Sequence, residues 1–186
     1  LYPGSPLVAL ELLREQDKMR LFELHPTDSE LLRENFAGHG SQVLMQTADG
    51  FGALKALLPP LPRRALVLID PPYEDKQDYQ RVVSALNEGL KRFANGVYAV
   101  WYPQLQRAEA RQLPEQLKQL PIKSWLNVAL SVQGQSADGF GMHGSGMFIL
   151  NPPWLLHGVL QEVMPYLVQL LGQDGQATFT LEYHEN

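Results

Sequence analysis

The chain has no cysteine among its 186 residues. Disulfides, thiolate metal sites and a cysteine nucleophile are therefore excluded, and the absence is compatible with a reducing compartment. Charge is sparse: Asp, Glu, Lys and Arg together make up 19%, with a formal net charge of −5. That balance argues mildly against a coat of basic surface, although a local basic patch survives an acidic total. No apolar run approaches the ~20 residues of a membrane span, so no membrane partner is expected. The first residues are Leu1-Tyr2-Pro3-Gly4 rather than methionine, and no secretory pattern follows. The expectation is the later part of a longer cytoplasmic polypeptide, with residues 1–186 forming one domain. No internal repeat, low-complexity segment or linker divides it.

What the chain does have is Ala65-Leu66-Val67-Leu68-Ile69 running into Asp70-Pro71-Pro72-Tyr73. Such an apolar run reads as a central strand buried on both faces. Two prolines cannot continue a sheet ladder, so the strand ends at Asp70. The acid and the aromatic then sit at the carboxyl end of a strand, the edge where open α/β sheets bind ligands. The tetrapeptide suits chemistry on an exocyclic amine, a poor nucleophile whose lone pair is delocalised into its ring. Asp70 and the Pro71 carbonyl both accept hydrogen bonds from an amine, Pro71 and Pro72 make the corner rigid, and Tyr73 offers a flat face to an unstacked base. It resembles the (Asp/Asn/Ser)-Pro-Pro-(Tyr/Phe/Trp) motif of amino-methyltransferases that use S-adenosylmethionine. The plainer reading is a proline turn after a buried strand. Asn151-Pro152-Pro153-Trp154 fits the same pattern after Met147-Phe148-Ile149-Leu150, and both cannot serve one site.

Ser5-Pro6 predicts a helix to about Gln16, with Ser5 at the N-cap. Arg20–Leu24 reads as a strand, and Thr27-Asp28-Ser29-Glu30 as a capping box opening a helix that ends near Phe36 and stops at Gly38. Val43–Gln46 is a second strand, followed by a short helix broken at Pro59-Pro60. Beyond Tyr73 the pattern predicts a helix over 78–93, a strand over 97–101 and a helix over 105–120 that Pro114 kinks or splits. An edge strand over 122–132, a Gly-rich loop over 134–144, a strand over 146–150, a helix over 154–171 and a last strand over 177–183 follow. The alternation predicts an α/β fold with a doubly wound, mostly parallel sheet whose last strand runs antiparallel at the edge.

Glu23, Asp49 and Asp70 each end a predicted strand, and parallel strands would gather them at one edge. An acid after the second strand of a nucleotide-binding half-sheet commonly accepts from ribose hydroxyls, and Asp49 is placed for an adenine amine. Binding of magnesium by the three acids is the alternative, and a helix cap or turn acid is the plainer reading for each. The five histidines show no metal-ligand spacing, and no metal is assigned. Trp101 and Trp125 read as packing residues, and Arg63-Arg64 and Lys91-Arg92 as solvated surface or phosphate contacts.

Taken together, Tyr2–Pro6, Leu13–Asp17, Glu23-Leu24-His25-Pro26, Ala48–Phe51, Leu68–Glu74, Lys91–Ala94, Trp101-Tyr102-Pro103, Gly144–Met147 and Asn151–Trp154 resemble the ribosomal large subunit methyltransferase J family. The resemblance implies a class I S-adenosylmethionine-dependent methyltransferase (Rossmann-like) fold that methylates an adenine N6 in 23S rRNA. It also implies a monomer bound to no membrane. It makes Asp70–Tyr73 the catalytic tetrapeptide and Asn151–Trp154 a second signature, structural or lining the site. Cofactor contacts carry over to Ser5, Glu23, Asp49, Gly50 and Asp70. The family's first strand and its glycine-rich turn have no counterpart ahead of Ser5. The rival expectations are a DNA adenine-N6 methyltransferase, a non-catalytic nucleic-acid-binding protein serving DNA uptake or use, and an inert structural fragment.

Overall fold

In the computed structural model, residues 3–185 are described; Leu1, Tyr2 and Asn186 lie outside them, and with them the Tyr2 end of the first family segment. The chain divides into two compact units, Leu1–Ala56 and Leu57–Asn186.

The first unit holds α1 (Ser5–Leu12), β1 (Met19–Phe22), α2 (Pro26–Phe36), β2 (Val43–Gln46) and most of α3 (Gly50–Leu57). β1 and β2 pair in parallel, Met19 opposite Val43 and Phe22 opposite Gln46. Leu10, Met19, Phe36 and Val43 form its core. α1 ends at Leu12, four residues before the expected Gln16, because Leu13 turns extended. The Thr27 capping box does not form. α2 opens two residues earlier, with Pro26 at its first position and His25 as a cap without a side-chain bond. Proline's fixed φ and missing N–H suit that first position, so the helix starts without the box. The stop beyond α2 lies at Gly40, whose φ is 51°, rather than at Gly38.

The second unit is built on a five-stranded sheet in the order β3-β4-β6-β5-β7. Its elements are β3 (Leu66–Ile69), α4 (Gln77–Arg92), β4 (Val97–Gln104), α5 (Ala108–Lys118), β5 (Ser124–Ser131), β6 (Gly144–Leu150), α6 (Leu156–Leu171) and β7 (Thr178–Glu185). β3 and β4 are parallel, while β6 pairs antiparallel with both β4 and β5, and β7 pairs antiparallel with β5. Strands β3, β4 and β5 therefore share one direction, and β6 and β7 oppose it. The antiparallel edge strand at the end of the chain is as expected. The reversal of β6 was not, and β5, expected at an edge, lies in the interior because β7 pairs along its other side.

Helices cover both faces. Ala99, Leu126, Val128 and Ile149 pack with Met164 of α6 on one face. On the other, Tyr98 lies under α4: a Cβ on Gly89 would meet its ring at 3.1 Å, and its hydroxyl donates to the Phe93 carbonyl at 2.8 Å. Pro114 sits inside α5 without splitting it.

One expectation about the Asp70 strand fails. β3 is an edge strand among the described residues, and its two faces differ. Ile69 is buried, but Leu66 and Leu68 are 69% and 44% exposed. Within the five-stranded sheet it pairs with β4 alone, which leaves its other side open.

Candidate active site

The corner after β3 carries the acid of the tetrapeptide. The register sets Ile69 opposite Val100, so Asp70 follows beside Trp101 at the carboxyl end of the strand. Asp70 and Pro72 are exposed and Pro71 is half-buried. Partial burial raises the Asp70 carboxyl above the ordinary carboxylate value, because the charged form is poorly solvated there. Tyr73 takes φ 54°, the left-handed region that a bulky side chain rarely enters.

Tyr73 does not present the open face expected of it. The residue is 2% exposed, with its ring centroid 4.7 Å from that of Tyr79 and 6.2 Å from that of Trp101. Its hydroxyl donates to the Trp101 carbonyl at 2.7 Å. An aromatic ring buries far more apolar area inward than an exposed corner would use, and its one polar atom has found a partner. Burial and the neighbouring acids hold the hydroxyl protonated well beyond its ordinary range. In this structure Tyr73 anchors the corner.

The second tetrapeptide lies elsewhere. Because β6 runs against β4, Leu150 falls opposite Tyr98, near the start of β4. Asn151, at φ 52°, donates through Nδ2 to the carbonyls of Ala94 and Gly96, both at 2.8 Å. Trp101 and Gly96 are five residues apart along β4, about 16 Å at ~3.3 Å per residue. Asn151–Trp154 thus belongs to the opposite edge of the sheet from Asp70 and does not line the same site. Its amide ties the chain leaving β6 to the turn before β4.

The first unit carries Glu23, Asp49, Gly50 and Ser5. Glu23 and Asp49 both follow parallel strands and share their carboxyl edge, where the Glu23 N–H donates to the Gln46 carbonyl at 3.2 Å. Each acid also holds a backbone donor: Glu23 Oε1 accepts from His25 N at 2.8 Å, and Asp49 Oδ1 accepts from Phe51 N at 2.9 Å. Both therefore shape the entry into the following helix, as the plainer reading proposed. A Cβ on Gly50 would stand 3.3 Å from Phe22 Cβ, so glycine lets α3 begin tight against the end of β1. Gly4 rather than Ser5 caps α1; Ser5 is the first helical residue, is exposed, and no hydrogen bond among the described residues ties it to Glu23 or Asp49. A carboxylate has about four acceptor directions. Two carboxylates on one edge form an acceptor pair of the kind that hydroxyl and amine donors, such as those of an adenosine moiety, bind to. No group of three or more metal-ligating side chains comes together among the described residues.

One residue of the corner was not legible in the spacing. Arg107, at the start of α5, donates through Nη1 to the Tyr73 carbonyl at 3.1 Å across 34 residues of sequence. Its position, following Trp101-Tyr102-Pro103 and preceding a charged helix, gives no local signal.

The comparisons with known proteins agree on one family. A family model described as ribosomal RNA large subunit methyltransferase D, RlmJ, matches residues 1–184. Proteins named ribosomal RNA large subunit methyltransferase J from Haemophilus influenzae and Escherichia coli are 47% and 48% identical over 182 residues. Those matches take in 98% of this chain but 64% of each relative, so the chain spans somewhat under two thirds of their length. A crystal structure of a Legionella pneumophila protein superposes with a TM-score of 0.88 at 33% identity, covering 98% of this chain and 67% of that one. With the family model spanning nearly every residue, the chain belongs to the ribosomal RNA large subunit methyltransferase J family.

Proposed function

We propose that the full-length protein transfers a methyl group from S-adenosylmethionine to the N6 amine of an adenine in 23S rRNA. On this reading residues 1–186 are the later part of one methyltransferase domain acting as a cytoplasmic monomer. The observation that carries it is Asp70: an exposed carboxylate of raised pKa, at the carboxyl end of β3, on a corner fixed by two prolines and a left-handed tyrosine.

S-adenosylmethionine, when bound, supplies an electrophilic methyl group on a positively charged sulfur. Glu23 and Asp49 offer it acceptor oxygens for ribose hydroxyls and an adenine amine, Gly50 keeps that turn tight, and Ser5 is assigned to it by the family resemblance. Asp70 accepts one N–H of the target amine and the Pro71 carbonyl accepts the other. Two acceptors on one amine fix its orientation and favour electron density at nitrogen as positive charge develops there. Pro72 restricts the backbone beside that carbonyl. The raised pKa of Asp70 also suits it to take the proton that the methylated amine must lose. Tyr73 supports the corner from beneath.

The test is methyl incorporation by the full-length protein into naked 23S rRNA, with duplex DNA and unrelated RNA as competing substrates. Incorporation confined to adenine N6 of 23S rRNA is expected. Asp70→Ala is expected to lower kcat by at least ~100-fold, the lower range for a positioned acceptor or base. Equal incorporation into duplex DNA would move the substrate to DNA, and an Asp70→Ala enzyme within a few-fold of wild type would remove Asp70 from the chemistry.

A further inference from the structure

The corner at residues 70–73 is strained, and the structure shows what holds it. A tyrosine at φ 54° is strained and persists only where its surroundings over-determine it. Two hydrogen bonds do so, one at its side chain and one at its backbone. The Tyr73 hydroxyl reaches the Trp101 carbonyl in β4 at 2.7 Å, and the Tyr73 carbonyl receives the Arg107 guanidinium from the start of α5 at 3.1 Å. The Tyr79 ring of α4 packs against its ring. Close by, Lys76 Nζ pairs with Glu109 Oε1 at 3.1 Å, a second link between the segment after the corner and the first turn of α5.

We infer that Arg107 is a positioning residue for the Asp70-Pro71-Pro72-Tyr73 corner: through the Tyr73 carbonyl it holds the backbone that aims the Asp70 carboxylate and the Pro71 carbonyl at the target amine. The inference rests on the function proposed above. A bond to a charged donor is stronger than a neutral one, and it fixes a peptide plane only three residues from Asp70. The guanidinium is suited to the task because it stays charged and its planar fork holds a direction that a lysine ammonium does not. Arg107 acts on the reaction through the backbone.

The experiment measures kcat, the KM for S-adenosylmethionine and the thermal midpoint of full-length Arg107→Ala, Arg107→Lys, Tyr73→Phe and Asp70→Ala. Arg107→Ala is expected to lose about 30–100-fold in kcat, the scale of a ~1 Å misplacement, with KM for the cofactor within about twofold of wild type. Arg107→Lys restores one charged donor and is expected to recover part of that loss. Tyr73→Phe releases the other side of the corner and is expected to lower kcat with the same unchanged KM. If Arg107→Ala does not fold, the Lys and Phe variants decide. Wild-type kcat in the soluble Arg107 variants, with Asp70→Ala inactive, overturns the positioning role alone. A fall in the thermal midpoint with kcat unchanged at a temperature where the variant is folded does the same, because it marks a purely structural bond. Full activity in Asp70→Ala as well overturns the functional reading and this inference with it.

Discussion

At the scale of single residues, the role proposed for Asp70 and the stability of the fold pull in opposite directions. Although the residue is exposed overall, its carboxyl is pushed above the ordinary value because the packed corner desolvates the charge on one side. A carboxylate raised in this way lowers the stability of the folded state once it is ionised. The penalty is absent below the unfolded pKa and complete above the raised folded one. Asp70→Asn, which keeps the shape and discards the charge, is therefore expected to melt at a higher temperature than wild type at pH 7 while losing methyl transfer. The gap should close as pH falls through the folded pKa of Asp70. Melting curves at several pH values check it, and a gap that does not change with pH would show that burial of the charge is not the cause. The same residues show how far spacing carries. The acid, the two prolines and the strand before them announce a corner. That Tyr73 turns inward is decided by partners 6 and 28 residues away, Tyr79 and Trp101, which no local pattern encodes.

At the scale of elements, the strongly patterned segments are where the sequence placed them. α4, β6 and β7 follow from apolar periodicity, while β4 runs three residues past its expected end, through Pro103 to Gln104, where β6 pairs with it. The differences come from neighbours and caps. The run Leu66–Ile69 reads as doubly buried, yet within the described residues it borders a single strand. The capping box at Thr27 is a valid local pattern that Pro26 pre-empts by starting α2 itself. That difference has a measurable size. Loss of a working N-cap costs typically about 1 kcal/mol, whereas an exposed substitution away from such a feature stays within about 0.5 kcal/mol. Thr27→Ala is expected to fall in the smaller range by urea denaturation. A loss near 1 kcal/mol would mean that the hydroxyl caps the helix in solution after all.

At the scale of the whole molecule, the two units differ in what holds them. The first has a two-stranded sheet of four-residue strands over a small core, the second a five-stranded sheet whose β4, β5 and β6 run seven or eight residues. A pair of short strands alone is marginal, and interior strands of a covered sheet open last. Amides of β1 and β2 are expected to exchange with deuterium well before those of β4, β5 and β6, by peptide-level mass spectrometry. Equal protection in both would overturn that ranking. The reversed strand β6 has a separate consequence. By entering the sheet backwards it delivers its preceding loop, 132–143, to the rim that bears Asp70, and sends its own exit to the far rim. Variation in that loop, where Phe140 stands 81% exposed, can alter what approaches the reacting end without touching the chain's other proline pair. The two look-alike tetrapeptides are thus insulated from each other, and a change at one rim of the sheet leaves the other's turn untouched.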